Sequence, residues 1–298
     1  MKRRFVTLDV FTDRRFAGNP LAVVLDGEGL DTAAMQAVAR EFNLSETVFV
    51  SPPRQAAHRA RVRIFTPKRE LDFAGHPIVG TAVLLGCLDG GADECALVLE
   101  AKIGPVPCRV TPGAEGGEAS FALPQLPAEV GAPPPNETLA AALGLAVDDI
   151  GFGGFTPSCR STGLGFTFVP LKSLDAVRRA QPDLARFASA LTAPAHNAVY
   201  IFSTETAEPA HDFHARMFAP AFGIVEDPAT GSAAAAFAGV LTRFAGLTDG
   251  EHAFVIEQGY EMGRPSLIRL GLTVAGGGLR AATIGGGAVR VSEGTIEA

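Results

Sequence analysis

The feature that most constrains this chain is a pattern that occurs twice. Glu226-Asp227-Pro228-Ala229-Thr230-Gly231-Ser232 opens onto an alanine-rich run, and far upstream Glu70-Leu71-Asp72-Phe73-Ala74-Gly75-His76-Pro77 opens onto the apolar run Ile78 to Leu88. The echo extends to both sides. Arg63-Ile64-Phe65-Thr66-Pro67 matches Arg216-Met217-Phe218-Ala219-Pro220 before the turns, and Val98-Leu99-Glu100 matches Val255-Ile256-Glu257 after the helices. Each copy then leads to a glycine and a proline, Gly104-Pro105 and Gly263 with Pro265. An ordered series at nearly constant separation indicates an internal duplication, with strand, turn, buried helix and strand in each half.

The first turn of a helix leaves backbone N–H groups without partners and carries the positive end of the helix dipole, so it attracts carboxylate or phosphate. Glycine there lets a ligand approach the backbone. Pro77 suits the first helical position, and Ser232 or Thr230 can cap the second helix. The two mouths are expected to meet at a domain cleft and to hold a small anionic molecule.

A chain of 298 residues can form two domains, each with a core of its own. Apolar residues at 47% against charged ones at 19% mark a globular chain. The net charge of −7, with no basic cluster beyond Lys2-Arg3-Arg4, argues against a nucleic-acid partner. Asp9 interrupts the only candidate signal-peptide core, and no run reaches the roughly 20 apolar residues of a membrane span. A cytoplasmic protein with no membrane partner is expected. Cys87, Cys95, Cys108 and Cys159 have no C-x-x-C spacing and read as free thiols in a reducing compartment, with no metal.

In chain order, Phe5 to Phe11 and Leu21 to Leu25 read as a hairpin, followed by a helix capped by Asp31 and ended by Asn43. Strands are expected over 48–50, 59–65, 96–100 and 106–110. A Pro/Gly/Ala-rich stretch over 111–137 holds one strand-like interlude, 119–123. The second half reads as helices over 137–143, 174–179 and 183–191, strands over 166–169 and 198–202, and a closing meander over 253–257, 266–274, 279–284 and 288–291. The glycine triplets 276–278 and 285–287 are read as breaks between those strands, and 151–165 as a Gly-rich segment that shapes a pocket. The class is α+β: each half a curved, mostly antiparallel sheet wrapped around an enclosed helix. The expected domains are 1–118 with 286–298, and 119–285.

Glu46 lies in a polar turn before an apolar strand, where it can project into a cleft or merely face solvent. His76 at a helix mouth can share a proton or pack; Asp227 can orient a substrate or open a turn; Ser232 can bind a carboxylate or cap. His211 and His214 are three apart, but a surface loop is the better reading than a metal site. No G-x-S-x-G or phosphate-binding glycine loop occurs.

Five stretches resemble signatures of the phenazine-biosynthesis PhzF-like isomerases, of the diaminopimelate-epimerase-like superfamily. They are Phe16-Ala17-Gly18-Asn19-Pro20-Leu21-Ala22-Val23, Asn43-Leu44-Ser45-Glu46-Thr47, Arg63 to Pro67, Gly75-His76-Pro77 and Glu226 to Ala233; Gln258-Gly259 with Gly263-Arg264-Pro265 is a further one. The resemblance implies two pseudo-symmetric halves, a homodimer and no cofactor. It implies Glu46 as the carboxylate that moves a proton on one face of a small substrate, with His76 and Asp227 in catalytic roles and Gly75, Thr230, Gly231 and Ser232 in substrate binding. Relatives that racemise with two cysteines carry them at the helix mouths, where this chain has His76 and Ser232. The alternatives are an amino-acid epimerase or racemase with a second, non-cysteine base, and a non-catalytic small-ligand-binding protein.

Overall fold

The structure, a computed structural model, describes residues 1–91, 93–193 and 196–298. The chain divides into two compact units, Met1–Ala122 with Gly285–Ala298, and Leu123–Ile284. Among the described residues no helix is long and apolar enough to cross a membrane.

The first unit runs β1 (Lys2–Val10), β2 (Asn19–Val24), α1 (Thr32–Phe42), β3 (Glu46–Ser51), β4 (Ala60–Phe65), β5 (Glu70–Leu71), α2 (Gly75–Leu88), β6 (Cys95–Ala101), β7 (Gly104–Pro112) and β8 (Gly116–Ala122). β1 pairs antiparallel with β2, β2 parallel with β3, and β3 antiparallel with β4. β4 then pairs antiparallel with β5 and parallel with β6, and β6 to β8 form a meander. α1 starts as expected, because the Asp31 carboxylate accepts from Ala34 N–H, and it ends at Asn43 in the left-handed conformation. α2 has no polar face. Every residue from Gly75 to Gly86 is buried, which the sheet achieves by packing around it.

The second unit runs β9 (Ala128–Glu129), α3 (Asn136–Leu143), β10 (Ser158–Ser161), β11 (Gly165–Pro170), α4 (Leu174–Arg179), α5 (Leu184–Ala190), β12 (Val199–Ser203), β13 (Phe213–Ala219), β14 (Ile224–Asp227), α6 (Gly231–Phe244), β15 (Gly250–Gln258) and β16 (Ser266–Ala275). Its pairings repeat the first unit's order: β10–β11 antiparallel, β11–β12 parallel, β12–β13 antiparallel, β13–β14 antiparallel, β13–β15 parallel and β15–β16 antiparallel. α2 and α6 occupy the same place in this order. The first two turns of α6 carry mostly alanine, and Phe237 beyond them fills the space against Phe168, Tyr200, Phe202 and Phe213. The Gly-rich segment contains β10, and its Phe152 and Phe155 pack on Phe202 in the core of this unit.

The last strand, β17 (Gly278–Glu297), differs from expectation. Gly276 and Gly277 do make a turn, with φ of 62° and 70°. Gly285 to Gly287, read as a break, lie inside one continuous strand. At two of them space is short: a Cβ on Gly285 would stand 2.8 Å from Ser120 Cβ, and one on Gly287 2.7 Å from the Thr12 carbonyl.

Candidate functional site

β3 begins at Glu46 itself, paired with Leu21, so Glu46 is held by the sheet and does not sit in a preceding turn. α2 packs on β2 and β3, which brings the first turn of the helix to the start of the strand. The helix starts at Gly75, making Pro77 its third residue where the first was expected. The proline costs no hydrogen bond there either, since the first four N–H groups lack intrahelical partners. Ala74 precedes it in extended conformation and offers no side-chain cap.

Glu46 Oε2 and His76 Nε2 approach to 3.0 Å, with side chains only 13% and 7% exposed. The two atoms are close but not aligned for a hydrogen bond: neither has a hydrogen-bond partner, and both are buried. A buried polar group left without a partner costs about 1–3 kcal/mol, so a facing pair of such atoms calls for an explanation.

At the mouth of α6 the polar groups are joined instead. The Thr230 hydroxyl donates to Asp227 Oδ2 at 2.6 Å, and Gln258 Nε2 donates to the Asp227 carbonyl at 2.8 Å and to Thr230 Oγ1 at 2.9 Å. Thr230 N–H donates in turn to Gln258 Oε1 at 3.1 Å. Thr230 occupies the N-cap position and Ser232 the second helical residue, yet no side chain makes a cap bond. The capping expected of these residues is replaced by the bond to Asp227. Gly259 permits this arrangement: its φ is 77°, and a Cβ would stand 2.5 Å from both the Pro228 and Arg264 carbonyls.

The repeated arginine braces each mouth. Arg63 forks onto Glu70 at 2.7 and 2.8 Å and lies over Phe65; Arg216 forks onto Glu226 at 2.8 and 2.9 Å and lies over Phe218. Arg216 also donates to the carbonyls of Val177 and Ala180, fixing the end of α4.

A second repeated device escaped the sequence reading. Glu100 accepts from the N–H groups of Arg54 and Gln55 and contacts His58; Glu257 accepts from those of Ala207 and Glu208 and contacts His211. The Arg54 and Gln55 amides and His58 outweigh desolvation and hold Glu100 down at about 2. Burial opposes ionisation of Glu257, but His214, His211 and the two amides outweigh it and bring that carboxyl to about 2 as well. The signal was present: Glu100 and Glu257 close the matched Val-x-Glu blocks, and His58 precedes Arg63 by the same interval as His211 precedes Arg216.

His214 is no surface-loop residue. It lies on β13, wholly buried, with Nδ1 2.6 Å from Glu257 and Nε2 2.9 Å from Glu261. Both nitrogens therefore donate, and although burial disfavours the charge, the two carboxylates raise the pKa of this imidazole. Among the described residues no group of His, Cys, Asp and Glu is arranged to hold a metal ion. Cys108, in a β-strand, is buried, and its thiol is pushed up to about 12.

Comparison with known proteins identifies the family. The family model described as "Phenazine biosynthesis-like protein" matches residues 8–294. An uncharacterized isomerase of Mesorhizobium japonicum is 48% identical, over 99% of this chain and 98% of its own. The trans-2,3-dihydro-3-hydroxyanthranilate isomerase of Pseudomonas aeruginosa is 37% identical over 98% of each. The crystal structure of a PhzF-family phenazine biosynthesis protein from Bacillus anthracis superposes with a TM-score of 0.90 at 28% identity, covering 100% of both chains. A fainter likeness, to a hydroxyproline epimerase of Agrobacterium vitis (TM-score 0.61, 13% identity, 99% and 91% coverage), speaks to the fold alone. With the repeated α+β unit and the matched motifs, these likenesses make the chain a member of the phenazine-biosynthesis-like PhzF family of isomerases, on the diaminopimelate-epimerase-like fold.

Proposed function

We propose that this isomerase needs no cofactor and moves a proton within a small carboxylate substrate, amino-acid-like or dihydro-hydroxyanthranilate-like, with Glu46 as general acid and base. The observation that carries this reading is the Glu46–His76 contact: two buried polar atoms 3.0 Å apart, neither with a hydrogen-bond partner. The relative named trans-2,3-dihydro-3-hydroxyanthranilate isomerase supports the substrate class.

In the proposed reaction the Glu46 carboxylate takes a proton from a substrate carbon. The electron pair left behind shifts the double bond, and Glu46 returns the proton to a different carbon. Substrate and product have the same atoms, so no oxidant or reductant is consumed. His76 and Asp227 position the reacting molecule, and Gly75, Thr230, Gly231 and Ser232 are assigned to binding its polar groups. We assign a homodimer as the working form.

The test is NMR in deuterated buffer with trans-2,3-dihydro-3-hydroxyanthranilate and a panel of small amino and hydroxy acids. Wild type is expected to convert a member of the panel, and Glu46→Gln to lose about 10²–10⁴-fold in rate, as for removal of a positioned base. Conversion that survives the substitution rules Glu46 out as the base. Obligatory solvent deuterium at an inverted carbon would instead indicate epimerisation by two bases.

A further inference from the structure

Gln258 lies at the end of β15 with no exposed surface, and its amide is fully committed. Its Oε1 accepts the Thr230 N–H at 3.1 Å, which fixes which end of the amide is the donor. Nε2 then faces the Asp227 carbonyl and Thr230 Oγ1, at 2.8 and 2.9 Å. Because the Thr230 hydroxyl accepts from Gln258, its single proton is left to point at Asp227 Oδ2, 2.6 Å away. One buried amide thus sets the direction of a hydroxyl, and the hydroxyl sets the carboxylate.

The first unit is an internal control for whether the fold requires this network. By the alignment of Glu70 with Glu226, Gly75 with Gly231 and Glu100 with Glu257, the counterparts of Asp227, Thr230 and Gln258 are Leu71, Ala74 and Ala101. That half builds the same strand, turn and helix with no polar group at any of the three positions. A buried polar network is worth keeping only when each member is satisfied, and an apolar alternative is available within this very chain.

We infer that Gln258 is a positioning residue of the proposed reaction: through the Thr230 hydroxyl it holds the Asp227 carboxylate as an acceptor for a hydroxyl or ammonium donor on the substrate. The inference rests on the isomerase reading above. Gln258 and the Thr230 hydroxyl act through Asp227 on substrate binding and leave the proton transfer at Glu46 untouched.

The test is steady-state kinetics of the full chain on trans-2,3-dihydro-3-hydroxyanthranilate with Gln258→Leu, the isosteric Gln258→Glu, Thr230→Val and the double variant Gln258→Leu/Thr230→Val, each checked for folding by circular dichroism. Loss of a hydrogen bond to a charged group predicts a rise in KM of about tenfold in each single variant, with kcat within about threefold. The double variant should be no worse than either single one, because Gln258 reaches the Asp227 carboxylate only through the Thr230 hydroxyl that Thr230→Val removes. A lowered melting temperature with unchanged KM in both Gln258 variants, or effects that simply add, overturns the assignment and leaves the isomerase reading standing. If wild type and Glu46→Gln are equally inert on this substrate and the panel, the isomerase reading fails and the assignment falls with it.

Discussion

At the mouth of α2 a carboxylate and an imidazole stand 3.0 Å apart with no hydrogen bond between them, while at the mouth of α6 Asp227, Thr230 and Gln258 are tied by bonds of 2.6–3.1 Å. The supports of the two mouths are nearly the same. Each has an arginine forked onto a glutamate, an uncapped glycine start and a carboxylate that holds a loop by two backbone amides. The duplicated parts carry the fold, and the proposed chemistry draws on the residues in which the halves diverge. One mouth keeps two buried polar atoms without hydrogen-bond partners; the other has its polar groups bonded to one another.

The sharpest way to break this contrast is to blunt each mouth in turn. His76→Asn is expected to lower kcat/KM by about 100-fold, since His76 adjoins the proposed base, and Ser232→Ala by about tenfold or less. Equal losses would mean that both mouths take part in the proton transfer.

The next effect is on stability. His214→Leu leaves Glu257 and Glu261 buried without their cation and should cost about 3–5 kcal/mol in urea denaturation. His58→Leu, at the first unit's counterpart of His211, removes one contact to Glu100 and should cost about 1–2 kcal/mol. The network also sets a pH window. Glu100 and Glu257 titrate at about 2 in the folded chain against an ordinary 4.5, so their contribution is present above about 4.5 and lost as pH falls toward 2. The His214 pKa is raised above its ordinary 6.5, so its contribution is complete below 6.5 and lost as pH rises through the folded value. Urea midpoints measured across both limbs should show the alkaline decline in wild type and not in His214→Leu.

A last contrast separates the two enclosed helices. A Cβ on Gly80 would stand 2.7 Å from both Leu21 Cδ2 and Val10 Cγ2, whereas one on Gly239 meets Pro127 at 3.2 Å. Gly80→Ala should therefore destabilise by about 1–3 kcal/mol despite the better helix propensity of alanine, and Gly239→Ala should stay within about 1 kcal/mol of wild type. Thermal melts of the two variants check this, and a stabilising Gly80→Ala would show that α2 has room to shift.

By itself the sequence determined what is local or repeated. The Asp31 cap, the Asn43 stop and the span of α4 follow from spacing and side-chain chemistry within one turn, and the two enclosed helices follow from runs that lack a polar face. The order of motifs carried the family. What the tertiary structure decided lies between residues far apart in the chain: Glu46 against His76, Gln258 against Thr230 and Asp227, and His214 between two carboxylates. The same holds for Gly285 to Gly287, glycines that look like a turn and are instead a strand pressed against its neighbours. Periodicity reports which face of an element is apolar, but a polar side chain inside the fold is explained only by the partner that strand pairing and helix packing bring to it.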